Sequence, residues 1–288
     1  MTLTYLGPFG ALREFDCLPP EIAVQGQRQS YRGITVVGRA YTQQAQQTAR
    51  QWNWLLNPVT PQILYELEAL QLNTYGPPPW RWYDPYAAET NMLPQGAAIP
   101  GSTYELGQLF SQQTLIPTAT PSAWDGRPIG WAVDVTDELI APALDGEVDP
   151  VPVIVGRTYT FSVSGLKITD DDWTVALRWV DADGATISES TAGIGINANP
   201  QRGVVTGTAP LTTAGVLVVV RADTADEVIE SVTALQLTES DSAVDWYPGQ
   251  GIPRVSIPAG IDGVLRRVRL GECDPSMRGA TVTLVEVG

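Results

Sequence analysis

The chain contains no histidine, and that absence excludes more chemistry than any other feature. Without an imidazole there is no Ser-His-Asp triad, no Cys-His dyad, no HExxH zinc site and no base that titrates near neutrality unaided. Carboxylate, lysine or tyrosine chemistry remains. A glycosidase needs only two carboxylates, so that class survives on arithmetic alone. No spacing singles out a pair, and the expectation is a protein that is not an enzyme. Cysteine is nearly as scarce. Cys17 and Cys273 are the only two, too few for a disulfide framework or a cysteine zinc site within one chain. They can form one bridge if the fold brings the ends together, or stay reduced in a cytosol. No apolar run approaches the roughly 18 to 20 residues that cross a bilayer as a helix. The start MTLTYLGPFGALREFD has neither the basic beginning nor the apolar centre of a secretory signal. Synthesis in a cytoplasm without membrane insertion is therefore expected. Basic residues are also few, 17 against 32 acidic ones for a formal charge of −15. Such a chain is repelled by nucleic acid and by anionic membrane surfaces, so neither is an expected partner.

What the chain has is β rhythm. Its 288 residues are 43% hydrophobic, enough for two globular domains. Short alternating segments recur between glycine, proline, aspartate and asparagine turns, the pattern of an all-β sandwich or barrel. RGITVVGRAYT (32 to 42) reads as one strand with two differently used faces. In VGRTYTFSVSGLKI, Tyr159, Phe161 and Val163 share one face and Thr158, Thr160, Ser162 and Ser164 the other. Trp173, Val175, Leu177 and Trp179 alternate in the same way, before an Asp183-Gly184 turn into a return strand. AGVLVVVRAD is apolar on both faces, the mark of a central strand. Two segments depart from the rhythm. Ala45, Ala49, Trp52 and Leu56 recur at helical spacing, so a helix is expected over 43 to 56, closed by Asn57-Pro58. In TPQILYELEALQL (60 to 72), Pro61 suits a first helical turn and Ile63, Leu67 and Leu70 lie on one helical face, although a strand stays open.

Punctuation divides the chain. PQGAAIPGST (94 to 103) reads as a linker and WYPGQGIP (246 to 253) as a second break. The expected plan is mainly β: a β-sandwich domain with one or two short helices, residues 1–98 plus 252–288, interrupted by a jelly-roll-like β-sandwich at 104–250. Three consecutive units are the alternative, although the last would be too short to hold a core.

Several groups invite functional readings. YGPPPWRWYDPY packs Trp80, Trp82, Tyr83 and Tyr86 behind Pro77 to Pro79. Rings bury much area per residue and proline limits the entropy lost on docking, so these four are candidate packing and subunit-contact residues. Arg267 and Arg269, on one side of an alternating segment, are candidates for a contact with an acidic neighbour, or for a charged edge that discourages pairing. Trp124 and Trp131 stand beside turn residues with Asp125 and Arg127, where a ring can stack on a sugar while charged groups bind its hydroxyls. The run Asp170 to Asp172 and the turn Asp181 to Gly184 admit a calcium reading, but the remaining ligands of a calcium loop are missing. No cofactor is therefore expected.

Three phrases carry a family likeness. TYLGPFGALREF, then Gly76-Pro77, Trp82, Asp84-Pro85 and Asn91-Met92-Leu93, and later LQLTESDSAVDWYPGQGIPRVSI, resemble the distal tail (minor tail) proteins of long-tailed phages that infect actinobacteria. The middle segment, through VPVIVGRTYTFSVSGL, ALRWVDADGATISES and GTAPLTTAGVLVVVRAD, resembles a carbohydrate-binding-module-like jelly roll. The resemblance implies a structural virion protein at the tail tip. It also implies a homo-oligomeric ring, commonly a hexamer, joining the tail tube protein to the tape measure and the tip or baseplate hub. The accessory sandwich would be displayed outward, where it can meet a host cell-surface glycan. A stand-alone carbohydrate-binding protein, or a carboxylate-based glycoside hydrolase, is the rival expectation.

Overall fold

The computed structural model describes residues 4–15, 22–27, 30–34, 40–44, 49–59, 61–99, 116–118, 122–124, 127–129, 132–136, 138–144, 147–166, 172–195, 201–223, 228–249, 251–257 and 278–287. The chain is mainly β. It begins with β1 (Thr4–Gly7), β2 (Arg13–Phe15), β3 (Ile22–Gln27), β4 (Ser30–Ile34), β5 (Ala40–Gln44), β6 (Ala49–Val59), α1 (Pro61–Gln71) and β7 (Trp80–Tyr83). The short helices α2 (Pro85–Thr90) and α3 (Gln95–Ala98) follow. Next come β8 (Ile116–Thr118), β9 (Ser122–Trp124), β10 (Arg127–Ile129), β11 (Ala132–Thr136), β12 (Glu138–Ala141), β13 (Ala143–Leu144), β14 (Glu147–Val148) and β15 (Val151–Pro152). The long strands are β16 (Thr158–Leu166), β17 (Trp173–Val180), β18 (Thr186–Ile194), β19 (Gln201–Thr208), β20 (Gly215–Ala222) and β21 (Val228–Thr238), and β22 (Arg254–Ser256) and β23 (Arg278–Glu286) end the chain.

The chain divides into two compact units, Met1–Pro8 with Leu12–Trp82 and Pro253–Gly288, and Phe9–Ala11 with Tyr83–Ile252. The first is built on a seven-stranded sheet of order β2-β1-β7-β22-β23-β6-β3. Its core is aromatic: Trp52, Trp54, Trp80 and Trp82 pack with Leu6, Phe15, Val255, Val282 and Leu284, and α1 contributes Ile63, Leu67 and Leu70. Trp82 is the hub, with its ring edge-on to Trp52 at 5.0 Å and to Trp54 at 5.4 Å. Its indole N–H donates to the Thr4 hydroxyl at 3.0 Å, which satisfies the one polar atom the ring buries.

Two expectations for this unit are corrected. Residues 49–59 form the strand β6, paired on both flanks with β3 and β23, and not the expected helix over 43 to 56. Trp52 and Trp54 are buried while Gln51 and Asn53 are half-exposed, a period of two. The helical spacing of Ala45, Ala49, Trp52 and Leu56 was a coincidence of small residues and rings, and the sheet resolves it because aromatic residues fit a pleated, half-buried surface. The segment 32 to 42 is likewise not one strand. Its ends belong to β4 and β5, paired antiparallel from Ser30↔Gln44 to Ile34↔Ala40. The helix expected near 60 to 72 is present as α1.

The second unit is a β-sandwich. One sheet runs β19-β16-β21-β11-β8, the other β12-β20-β17-β18 with β15 beside β20. Tyr159, Phe161 and Val163 from β16, Trp173, Val175, Leu177 and Trp179 from β17, and Val216, Val218 and Val220 from β20 are all buried. β20 is flanked by β12 and β17, and its opposite face, Leu217 and Val219, is covered too, in a cluster with Ile140, Ala176 and Val180 on which Phe9 packs. Close layering requires glycine at one point, since a Cβ on Gly165 would stand 2.5 Å from the Trp173 ring. The first boundary falls at Trp82/Tyr83 and not near residue 98. Residues 95–98, expected as linker, form α3 with Gly96, Ala97 and Ala98 buried.

Candidate functional site

The polar face of β16 and β21 is not in solvent. Thr160, Ser162, Ser164, Ser231, Thr233, Gln236 and Thr238 are each 3% exposed or less. The segment that follows β21 covers them. Thr160 donates to the Ser240 carbonyl at 2.8 Å, Gln236 to that of Asp245 at 2.9 Å, and Arg202 to that of Val244. Ala234, at φ 55°, sits where β21 gains a residue relative to β16, between the pairs Ser162↔Gln236 and Ser164↔Thr233. Such a bulge re-aims a strand. On one side of it β21 pairs with β11, and on the other its flank is open to a different partner.

That partner is the stretch following β7. Asp84 caps α2 by accepting from the Tyr86 N–H at 3.0 Å, with Pro85 at the first helical position. The Ala88 carbonyl accepts from Glu239 N–H, and Met92 N–H donates to the Leu237 carbonyl at 2.8 Å. Asn91, fully buried, completes the docking with its side chain. Its Nδ2 donates to the carbonyls of Leu235 and Tyr247 at 3.0 Å each, and its Oδ1 accepts from the N–H groups of Leu93 and Leu237 at 3.1 and 3.2 Å. An amide with two donors and an acceptor oxygen can imitate a piece of strand backbone. Only asparagine, at this length, serves all four groups. Gly251 N–H then donates to the Leu93 carbonyl at 2.9 Å, and Gly249 approaches that carbonyl so closely that a Cβ would overlap it.

Beneath this strap lies a polar cluster whose two phenols are buried while Arg157 and Glu239 stay partly exposed. Tyr83 donates its hydroxyl to Glu239, stands 3.2 Å from the Tyr159 hydroxyl, and Arg157 binds both Glu239 carboxylate oxygens at 2.8 and 2.9 Å. The Tyr159 hydroxyl also accepts from Ile154 N–H at 2.8 Å. Burial, followed by the neighbouring Tyr159 and Glu239, pushes the Tyr83 hydroxyl well above the usual phenol range, and burial raises Tyr159 as well. Both phenols stay protonated and act as donors and acceptors, not as bases. On the outer face of the second sheet Arg178 bridges Glu138 and Glu189 at 2.6 Å each, and Arg221 binds Glu189 at 3.0 Å. Burial pulls the Glu189 carboxyl up, but Arg178 and Arg221 outweigh it and hold the group below its ordinary range. These carboxylates are occupied by their own arginines.

Three of the four rings expected at a subunit contact are internal. Trp80, Trp82 and Tyr83 are each 1% exposed, the tryptophans in the core of the first unit and Tyr83 in the cluster above, so they offer no ring to a neighbour. The alternating phase of β7 and its position inside a seven-stranded sheet account for this, and clustering in sequence did not reveal it. Tyr86 alone is exposed, at 60%. Trp124 and Arg127 pair across the β9–β10 hairpin. Asp125, Trp131, Arg267, Arg269, Cys17 and Cys273 lie outside the described residues. Asp170 and Asp171 do so as well, while the Asp181 carboxylate accepts from the N–H groups of Asp183 and Ala185, closing its turn. Among the described residues no group of three or more aspartate, glutamate, cysteine or histidine side chains gathers where a metal ion could be held. Asn91 and Gln236 entered the sequence reading only as parts of the tail-protein phrases, with no role of their own. The phrase Asn-Met-Leu beside Trp-Tyr-Pro-Gly was the available signal, since those two stretches meet.

No family model matches the chain and no curated protein matches it. Among solved structures, the enzymatically active domain of tailspike protein 4 from bacteriophage CBA120 is similar over 54% of this chain at 10% identity and a TM-score of 0.37, and the chain spans 22% of that protein. The C-terminal family 22 carbohydrate-binding module of Clostridium thermocellum Xyn10B aligns with 53% of this chain and 99% of its own at 14% identity and a TM-score of 0.35. The CBM22-1 xylan-binding domain of Paenibacillus barcinonensis Xyn10C aligns with 54% and 99% at 13% identity and a TM-score of 0.37. Likenesses this shallow carry no argument, and the sandwich stands on its own two sheets.

Proposed function

We propose that this chain is a structural protein of a phage tail tip, in which the first unit forms a distal-tail ring and the second is an inserted accessory β-sandwich. One observation carries the reading. The chain leaves the seven-stranded sheet on β7 and rejoins it on β22, its hydrogen-bonded neighbour, with Val255 opposite Trp80 and Arg254 opposite Arg81. A sheet whose leaving and returning strands are adjacent tolerates a self-contained domain between them. That organisation supports the insertion which the tail-protein phrases imply. In this reading copies of the first unit close into a sixfold ring through two different surfaces per subunit. The ring meets the tail tube protein on one side and the tape measure and hub proteins on the other. The protein is made in the host cytoplasm and resides in the virion. It performs assembly without catalysis, cofactor or nucleic acid. Native mass spectrometry and negative-stain microscopy of the purified chain, alone and with the tail tube protein of the same phage, test it. Closed rings are the expected result; a monomer that never joins the tube, together with complete particles lacking the chain, refutes it.

A second reading has an observation of its own. Tyr86 and Tyr247 expose 60% and 48% of their surface in the second unit, and exposed rings stack on sugars. Repeated copies on a ring would strengthen weak glycan contacts by avidity. Calorimetric titration with host cell-wall oligosaccharides, comparing the intact chain with Tyr86→Ala, decides this reading: heat that the variant lacks supports it, and no heat from either protein removes it.

A further inference from the structure

We propose that the surface bearing Tyr86 and Tyr247 takes an amine-bearing sugar, a glycan with free hexosamine amino groups, and turns anionic glycans away. The inference deepens the glycan reading and rests on it. Tyr86 lies on α2 and Tyr247 on the segment after β21, and polar side chains stitch the two stretches together. Thr90 donates its hydroxyl to the Tyr86 carbonyl at 2.7 Å. Gln236 donates through one nitrogen to the carbonyls of Thr90 and Asp245, at 2.8 and 2.9 Å, and Asn91 donates to that of Tyr247. Both rings are exposed, and so are Glu89, on the same short helix as Tyr86, and Asp245, in the same short stretch as Tyr247.

Charge and unmet hydrogen bonds identify the ligand class. Residues 83–99 and 239–252 carry five carboxylates, Asp84, Glu89, Glu239, Asp241 and Asp245, and neither lysine nor arginine. Arg157 reaches this set through Glu239. The imbalance extends to the whole second unit, whose 23 acidic residues stand against 6 basic ones for a formal charge of −17. Even if every basic residue of the unit paired with a carboxylate, 17 would remain without a cation of their own unit. Rings beside carboxylates suit an ammonium group, drawn to the π face and to the negative charge, and they repel uronates and phosphates. Two buried atoms at the same seam add a need for hydroxyls. Gln236 is 1% exposed, and its nitrogen faces two carbonyls, which fixes the amide and leaves Oε1 with no donor. Trp246, between Asp245 and Tyr247, buries an indole N–H that has no acceptor. Unmet polar atoms are costly, and a hydroxyl supplies both a donor and an acceptor. A hexosamine carries the hydroxyls and the ammonium in one ring that can also stack on tyrosine.

Calorimetric titration of the full chain at low salt tests the class, with four probes: a glucosamine oligomer, its N-acetylated counterpart, an oligogalacturonate, and an oligolysine matched in charge to the first. The glucosamine oligomer should bind about tenfold more tightly than the N-acetylated one, and the oligogalacturonate should not bind. Glu89→Gln combined with Asp245→Asn, both at exposed positions, should abolish that preference. Asp183→Asn combined with Glu147→Gln makes the same change in net charge at exposed positions elsewhere on the unit and should keep it. Equal loss in the two double variants, or oligolysine binding as tightly as the glucosamine oligomer, overturns the proposal in favour of diffuse attraction between charges. If the N-acetylated oligomer binds as tightly as the glucosamine one and Tyr86→Ala abolishes both, the amine class is refuted while the glycan reading stands. Heat from no oligosaccharide at all removes both.

Discussion

Replacing Asn91 by leucine tests the docking of the strap more sharply than any other change. The two side chains share the same branched skeleton and leucine is the bulkier, so no cavity is created and the perturbation is loss of hydrogen bonding with some crowding. Four backbone groups lose their partner: the carbonyls of Leu235 and Tyr247 and the N–H groups of Leu93 and Leu237. Three of those bonds are fully buried. A buried polar group stripped of its partner costs about 1–3 kcal/mol, and part of that returns through the apolar side chain. The expected loss is about 3–4 kcal/mol of stability in the second unit, a large share of an ordinary domain's total. Urea unfolding followed by tryptophan fluorescence, with proteolysis of the strap as a local probe, measures it. Asn91→Asp provides an internal control. A carboxylate there would face two carbonyl oxygens, so its pKa in the fold must rise above the ordinary value of about 3.9. The destabilisation relative to the parent is then full above the raised folded value and shrinks as pH falls toward the unfolded one. A cost below about 1 kcal/mol for the leucine variant, or an aspartate variant whose deficit does not shrink on acidification, would refute the claim that this side chain holds the strap.

Three further outcomes follow from the same geometry. Trp82→Ala removes the ring at the centre of the first core together with its bond to Thr4, and should cost about 3–5 kcal/mol in thermal or urea unfolding; a folded variant that merely fails to assemble would restore the subunit-contact reading. Gly165→Ala forces a methyl against the Trp173 ring at 2.5 Å and should destabilise the sandwich by about 1–3 kcal/mol, with an unchanged unfolding midpoint counting against the packing. Tyr83 and Tyr159 are raised in the fold above their unfolded pKa near 10, so stability should be flat below about pH 10 and fall as pH rises beyond it, because only the unfolded chain releases those protons. Absorbance at 295 nm should show both phenols titrating together with unfolding, and ionisation of either one in the intact fold would contradict the cluster.

Much of this was legible in the chain, and particular residues show where legibility stopped. Tyr159, Phe161 and Val163 alternate with Thr160, Ser162 and Ser164, and period two alone identified β16 and its core face. The other face carries no local sign of burial, yet it is sealed, because nothing local records that residues 240–247 return across it. At 43 to 56 the opposite failure occurred. Four residues at helical spacing outweighed the two-residue alternation of Trp52 and Trp54, and only pairing with β3 and β23 decides between them. The aromatic stretch at 80–86 divides across the unit boundary, two rings into the core of one unit, one into a polar cluster of the other and one into solvent.

By itself the sequence determined the exclusions and the rhythm. Without histidine, and with only two cysteines, it ruled out catalysis by an imidazole of its own and a cysteine zinc site within one chain. Its alternation required a mainly β protein with apolar residues at every second position of the long strands. These follow from composition and nearest-neighbour geometry, which any stretch of chain carries within itself. The tertiary structure alone decided that β22 and β23 complete a sheet begun 170 or more residues earlier, that Asn91 serves as strand backbone for β21, and that Trp80 and Trp82 face inward. Those outcomes depend on which distant segments meet, and no local propensity encodes the identity of a partner.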